Sequence, residues 1–320
     1  MNVNMRGFSD CRCFKAVAVA AAFAIVAAVA APLPVFAEDV LFFGNSFTSS
    51  NNIPQMVQEI SASKNKPLTT TRVTKGGQGF SYHLLKPATD EALKSKPWAW
   101  IILQDHSLGA TTAAGNRGDF ITNGQKFYER IVAESPTASI VLYETWALSA
   151  KHASFKSAVA LAPGNPVTTP SAATPSKPGD AKADMEDEED PSGAKKGSVK
   201  TVLFADPAEM YGQIHAKYGE LQVILQAKDP RRKVVIAPVG TAFAKCVKEH
   251  PEIDLYGKDL KHPSFEGSYL SALVIYATIT GDSPVGAVVT KKVNPDRARV
   301  LQQLAADITN THGTPARAVR

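Results

Sequence analysis

Val40-Leu41-Phe42-Phe43-Gly44-Asn45-Ser46-Phe47-Thr48 is the stretch on which the reading of this chain turns. Four large apolar residues run without a polar break and then meet Gly, Asn and Ser. An unbroken apolar strand is one buried on both faces, as the central strands of parallel sheets are. Small polar residues at its end deliver a side chain to the carboxyl edge of the sheet, where open α/β folds bind ligands. Ser46 then stands at the strand end, ahead of a helix whose N-terminal N–H groups face any negative charge that develops there.

On its N-terminal side the stretch follows a segment of different character. Arg6, Arg12 and Lys15 precede an alanine-rich apolar run from Ala16 to Ala31, which Pro32 and Pro34 end. Val35 and Ala37 are small residues at the two positions a signal peptidase reads. The run is short for a membrane span. Residues 1–37 are therefore expected to be a signal peptide, with the mature chain starting near Glu38, exported to a periplasmic or extracellular location and without a membrane anchor after cleavage. Cys11 and Cys13 fall before the apolar run, so Cys246 alone is left in the mature chain and no intrachain disulfide can form. Losing Arg6, Arg12, Lys15 and Asp10 takes the formal charge from +5 to +3, with the basic residues scattered, which gives no footing for a nucleic-acid partner.

On the C-terminal side strands and helices alternate. Ile53, Met56, Val57 and Ile60 lie at helical spacing. Leu68 to Val73 reads as the second strand, His83 to Leu93 as a helix, and Trp98 to Leu103 as a buried third strand. Phe120 to Ala133 is predicted helical and Ala138 to Thr145 a fourth strand. Pro207 to Lys228 is an amphipathic helix and Lys233 to Val239 a fifth strand. Ser264 opens a helix running to about Ile279, and Pro295 to Ile308 forms the last one. Such alternation means a parallel α/β sheet. Between about 163 and 198 the pattern stops: Pro, Ala, Thr, Ser and Gly dominate and Glu186 to Asp190 is a run of acids. That composition cannot bury enough apolar surface to offset the entropy of ordering, so a disordered surface insertion is expected there, and a frayed tail at 311–320. The domain itself spans 38–310.

Four strand ends carry polar or glycine-rich clusters: Ser46; Gly76-Gly77-Gln78-Gly79; Gln104-Asp105-His106-Ser107; and, beyond the fifth strand, Asp259-Leu260-Lys261-His262-Pro263-Ser264. Acyl transfer needs a nucleophile, a base, an acid that orients the base, and donors for an oxyanion. Ser46 supplies a hydroxyl, His262 an imidazole to take its proton, and Asp259 a carboxylate that holds the imidazole in the right tautomer. Metal and nucleotide chemistry find no support, since His-Glu-x-x-His, paired Cys-x-x-Cys and phosphate-binding glycine loops do not occur, and no cofactor is expected. A Gly-x-Ser-x-Gly elbow is also missing. His83 and His215 read as packing or surface residues, and Trp98, Trp100 and Trp146 chiefly as core.

Taken together, Gly44-Asn45-Ser46 and Asp259-x-x-His262 resemble the first and last motifs of the SGNH (GDSL-like) hydrolase family. The likeness covers roughly Asp39 to Pro284 without the insertion. It implies a flavodoxin-like three-layer α/β/α sandwich on a five-stranded parallel sheet, with Ser46, Asp259 and His262 as catalytic residues. It also implies an oxyanion hole from the Ser46 N–H, a glycine in the second block (Gly77, with Gly79 as the fallback) and an Asn in the third. Here the third block reads Leu103-Gln104-Asp105-His106, so the Gln104 carboxamide takes the place of the Asn, with His106 as the alternative. Asn45, His106 and Trp146 are the expected substrate-binding residues. Exported members of the family often remove acetyl groups from polysaccharides, so the expected partner is a small-molecule or polysaccharide ester. Lipase-type esterase activity and a catalytically silent binding domain are the rival readings.

Overall fold

The computed structural model describes residue 1 and residues 37–115, 119–156, 202–289 and 292–311. Residues 2–36 of the expected signal peptide, the insertion expected at 163–198 and residues 312–320 of the expected tail lie outside the described residues.

Five strands, β1 (Glu38–Gly44), β2 (Leu68–Thr74), β3 (Trp100–Leu103), β4 (Ser139–Tyr143) and β5 (Val234–Ala237), form one sheet in the order β2-β1-β3-β4-β5. All four pairings are parallel, with Val40 opposite both Thr70 and Trp100 and Ile140 opposite both Ile101 and Val234. The order reverses between β1 and β3, which makes their carboxyl ends the switch point where such sheets open a crevice.

The strands show why there are three layers. Val40 and Phe42, Trp100 and Ile102, and Val141 and Tyr143 belong to one hydrophobic core. Their alternate neighbours, Leu41 and Phe43, Ile101 and Leu103, and Ile140 and Leu142, belong to another. Side chains of a strand alternate between faces, so two cores mean two covered faces. The first is covered by α2 (Ile53–Ser63), α7 (Val239–Glu249), α8 (Phe265–Thr280) and α9 (Pro295–Thr311). The second is covered by α3 (Phe80–Leu84), α4 (Pro87–Lys94), α5 (Phe120–Glu134) and α6 (Pro207–Lys228). A single-turn helix, α1 (Ser46–Ser49), follows β1 directly.

Helix α8 is buried at every residue from Gly267 to Ile279, because α2, α7 and α9 surround it. Ser264 caps it, its hydroxyl accepting from Gly267 N at 3.1 Å, and Gly281 ends it in the left-handed conformation at φ 65°. None of the described helices is long and apolar enough to cross a membrane.

Two local expectations change. The single helix expected at His83 to Leu93 is two helices, because Pro87 lacks an N–H and forces Lys86 into an extended conformation at φ −105°, ψ 129°. Helix α7 was not expected. Pro238-Val239-Gly240 resembles a turn, yet Val239, Ala242, Phe243 and Cys246 recur at helical spacing and are buried. Cys246 is part of that core, and burial pushes its thiol up to about 12, so it packs as an apolar side chain.

Candidate functional site

The site begins at the turn out of β1. Gly44 is required there, since a Cβ would lie 2.3 Å from Thr48 Oγ1 and 2.6 Å from Gln104 Oε1. Asn45 caps α1: its Oδ1 accepts from Phe47 N at 2.9 Å, and its Nδ2 donates to the Gln78 carbonyl at 2.6 Å. Ser46 is the first residue of α1, so its N–H is one of the N-terminal donors that no earlier helical carbonyl takes.

Gln104 locks this turn from the end of β3. Its Oε1 accepts from Asn45 N at 2.9 Å and from Thr48 Oγ1 at 2.8 Å, while its Nε2 donates to the Asp105 carbonyl. The side chain has no solvent exposure. The structure thus gives Gln104 a different place from the expected oxyanion donor, because its oxygen faces the turn that carries Ser46 and its nitrogen is turned back to its own neighbour. Gln104→Ala would strand a buried N–H and a buried hydroxyl, at a cost of about 1–3 kcal/mol each. Urea unfolding of Gln104→Ala is expected to show a loss of about 2–6 kcal/mol on that basis.

The Asp259–His262 loop approaches from the other side. His262 Nε2 lies 2.7 Å from Ser46 Oγ, and its Nδ1–H donates to Asp259 Oδ2. Asp259 Oδ1 accepts from Lys261 N at 3.1 Å and His262 N at 3.0 Å. Burial pushes the Asp259 carboxyl upward, but the donors of His262 and Lys261 outweigh it and hold the group below its usual range. Between them Leu260 adopts φ 63°, a strained conformation for a branched side chain that is tolerated where the surroundings over-determine it. The structure therefore brings Ser46, His262 and Asp259 into one hydrogen-bonded line, 216 residues apart in sequence between Ser46 and His262.

Aromatic rings back this line. Phe47 meets the His262 ring edge-on with centroids 5.5 Å apart, and Trp146 is stacked between Phe47 and Phe243, 4.3 Å from each. Trp146 is fully buried and its Nε1–H donates to the Lys261 carbonyl at 3.1 Å. Its reading as core holds, and its expected place in a substrate pocket is corrected: it packs between the two rings and hydrogen-bonds the Asp259–His262 loop. Asn45 is likewise buried, with its oxygen committed to the turn and its nitrogen to the Gln78 carbonyl of the second block. His106 is buried near the same strand end, with Nδ1 accepting from Leu108 N at 3.1 Å, which leaves the proton of the neutral ring on Nε2.

Of the two glycines in the second block, Gly77 serves a turn, with φ 66° and Gln78 N donating to the Lys75 carbonyl at 3.2 Å. Gly79 is the one packed on the third block, where a Cβ would lie 2.2 Å from Asp105 Oδ1 and 3.0 Å from His106 N. Gly109 makes the same close approach to Asp105 Oδ2, at 2.1 Å for a Cβ. Asp105 Oδ1 accepts from Phe80 N at 2.6 Å, so this carboxylate ties the second block to the third. In the sequence Asp105 stands out only as a neighbour of Gln104. The flanking glycines were the available signal of a side chain closely enveloped by backbone.

Two histidines outside the line titrate in opposite senses. His83 is buried on α3, with Nε2–H donating to the Gly44 carbonyl at 2.9 Å, and burial lowers its pKa. His215 is half exposed on α6, and its hydrogen bond to Glu144 raises its pKa. Glu144 is fully buried beyond β4, where it also accepts from Thr241 N at 2.9 Å in the first turn of α7. Below about pH 6.5, the ordinary histidine value, the unfolded chain takes up a proton that the folded His83 refuses, so stability present above that pH is lost below it. His215 works the other way, adding stability below about pH 6.5 that is lost as pH rises through its raised value. Melting temperatures measured from pH 5 to 8 are expected to fall less steeply on the acid side in His83→Gln and more steeply in His215→Gln.

No family model matches the chain, and no curated protein matches it. Among solved structures, a DUF4886 family protein from Bacteroides uniformis is similar at a TM-score of 0.56 and 14% identity, over 88% of this chain and 98% of that one. The chain shares that fold. A candidate SGNH hydrolase from Slackia heliotrinireducens is similar at a TM-score of 0.48 and 20% identity, covering 75% of this chain and 98% of its own. An acetyl xylan esterase is similar at 0.44 and 14%, covering 75% and 98%.

Proposed function

We propose that the protein is an exported serine ester hydrolase acting on small acyl esters, foremost acetyl esters of carbohydrate, through an acyl-enzyme. The reading rests on one observation above all: the Ser46 Oγ to His262 Nε2 contact at 2.7 Å, with Asp259 on the far ring nitrogen, at the carboxyl edge of a parallel sheet. In this reading Ser46 Oγ attacks the ester carbonyl carbon while its proton passes to His262 Nε2. Asp259 stabilises the imidazolium that forms, and its depressed pKa keeps it ionised for that purpose. The oxyanion is met by the Ser46 N–H and by an N–H of the second block, Gly77 or Gly79, with the His106 imidazole of the third block as the alternative to Gln104 for a further donor. Collapse returns the proton from His262 to the leaving alkoxide, and water activated by the same imidazole then releases the acid. The basic start, apolar run and small residues at 35 and 37 support export. The acyl group is drawn from the family resemblance, in which exported enzymes often deacetylate polysaccharides.

The test is a panel of p-nitrophenyl esters from acetate to long-chain acyl groups, with acetate release from acetylated oligosaccharides alongside. A preference for acetate is expected. A preference for long chains turns the reading to a lipase-type esterase, and absence of turnover on every ester turns it to a silent binding domain.

A further inference from the structure

Ser46 and His262 lie on separate elements, so something must fix the distance between them. Asn51 sits in the 3-10 turn Ser50–Asn52 that follows α1, in the same excursion of the chain as Ser46. Its Nδ2 donates to the Pro263 carbonyl at 3.2 Å, the Ser264 carbonyl at 3.1 Å and Ser268 Oγ at 2.9 Å. Pro263 and Ser264 follow His262 directly, and Ser268 is buried in α8. Two of the three partners are carbonyl oxygens, which only accept, so the nitrogen of the carboxamide must be the end that faces the loop.

The backbone is bent to put it there. Asn51 has φ 51°, ψ 17° and Asn52 φ 56°, two successive left-handed residues of the type that tolerates this conformation at least cost. Neither side chain caps α2 in compensation; that of Asn52 instead accepts from Arg72 at 2.9 Å. Strain of this kind persists where surrounding contacts hold it.

From the loop's side the same bonds complete a set. The Leu260 carbonyl accepts from Ser149 N at 3.0 Å, that of Lys261 from Trp146 Nε1 at 3.1 Å, and that of His262 from Gly257 N at 2.7 Å. Those donors belong to the loop itself or to the chain beyond β4. The Pro263 carbonyl takes Asn51, and the Ser264 carbonyl takes it beside Ser268 N at 2.9 Å, so Asn51 is the donor that comes from the Ser46 side.

We infer that Asn51 is a positioning residue, a clasp between the nucleophile turn and the acid–base loop that sets the Ser46–His262 distance. The inference rests on reading Ser46 and His262 as nucleophile and base. A misplacement of about 1 Å between reacting groups can cost roughly a hundredfold in rate while leaving substrate contacts intact.

Asn51→Gly isolates the clasp, because glycine keeps the left-handed backbone without strain and removes only the carboxamide. With a chromogenic ester, kcat is expected to fall by about 10–100-fold with KM changed by less than about twofold. Hydrogen exchange of the Leu260, Lys261 and His262 amides is expected to quicken by about tenfold or more, with the amides of the α8 interior unchanged. Asn51→Asp, which sets a carboxylate against two carbonyls, is expected to be at least as slow. A kcat within about twofold of wild type, or a KM that rises as much as kcat falls, overturns the clasp. If wild-type protein turns over no ester, the functional reading fails and the exchange experiment alone decides: faster loop exchange sustains the clasp, and unchanged exchange overturns it.

Discussion

Replacing Ser46 with alanine is expected to lower kcat by a factor of about 10⁴ or more while the melting temperature stays near that of wild type. The size follows from the geometry. Ser46 Oγ is the hydroxyl that His262 Nε2 contacts, at 2.7 Å, and Thr48 Oγ1 is turned to Gln104 instead. No neighbouring group can replace the lost nucleophile. The fold is indifferent because the turn is held by Asn45, Gln104 and Thr48, none of which uses the Ser46 hydroxyl. Steady-state kinetics with the preferred ester from the panel, beside a thermal melt, checks both halves. A Ser46→Ala variant with near-full activity would remove the nucleophile from the mechanism.

The second large effect is expected at Asp259→Asn, at about 10⁴ in kcat with KM little changed. One carboxylate oxygen takes the His262 ring N–H and the other takes two backbone N–H groups. An asparagine satisfies the backbone pair with its single oxygen and turns its NH₂ toward the ring. His262 must then present a bare Nδ1 and carry its proton on Nε2, which faces Ser46 and can no longer accept. The variant keeps the loop and loses the tautomer. Asp259→Ala loses the loop contacts as well, so its melting temperature is expected to drop where that of Asp259→Asn holds. If Asp259→Asn retains activity within about tenfold of wild type, the carboxylate is a loop anchor and not the orienting group.

What could be read from the sequence was what is local. The Val40 to Phe43 run announced a strand buried on both faces, and the alternation of its residues between the two cores is the physical content of that reading. Asp259 and His262 were legible because three residues of loop suffice to set a carboxylate against an imidazole. The strand order was not local: period and propensity define strands, and they do not say that these stand in the order β2-β1-β3-β4-β5. Side-chain direction was the hardest. A carboxamide donates at one end and accepts at the other, and nothing in Leu103-Gln104-Asp105 says which end meets the nucleophile turn. Trp146 follows a strand end, where an aromatic ring can line a pocket or support a loop, and its stacking on Phe47 and Phe243 decides for the latter. Helix α7 was hidden because Pro238 and Gly240 suggest a turn, although a proline just before a helix is an ordinary way to start one.

The central claim is that Ser46 is an activated nucleophile, and active-site-directed labelling tests it most directly. Wild-type protein treated with a fluorophosphonate at neutral pH is expected to gain one adduct. Its mass should map to the peptide that contains Ser46, and labelling should be lost in Ser46→Ala and strongly slowed in Asp259→Asn. An adduct on another serine, or no adduct in a folded wild-type protein that still hydrolyses esters, would contradict the account.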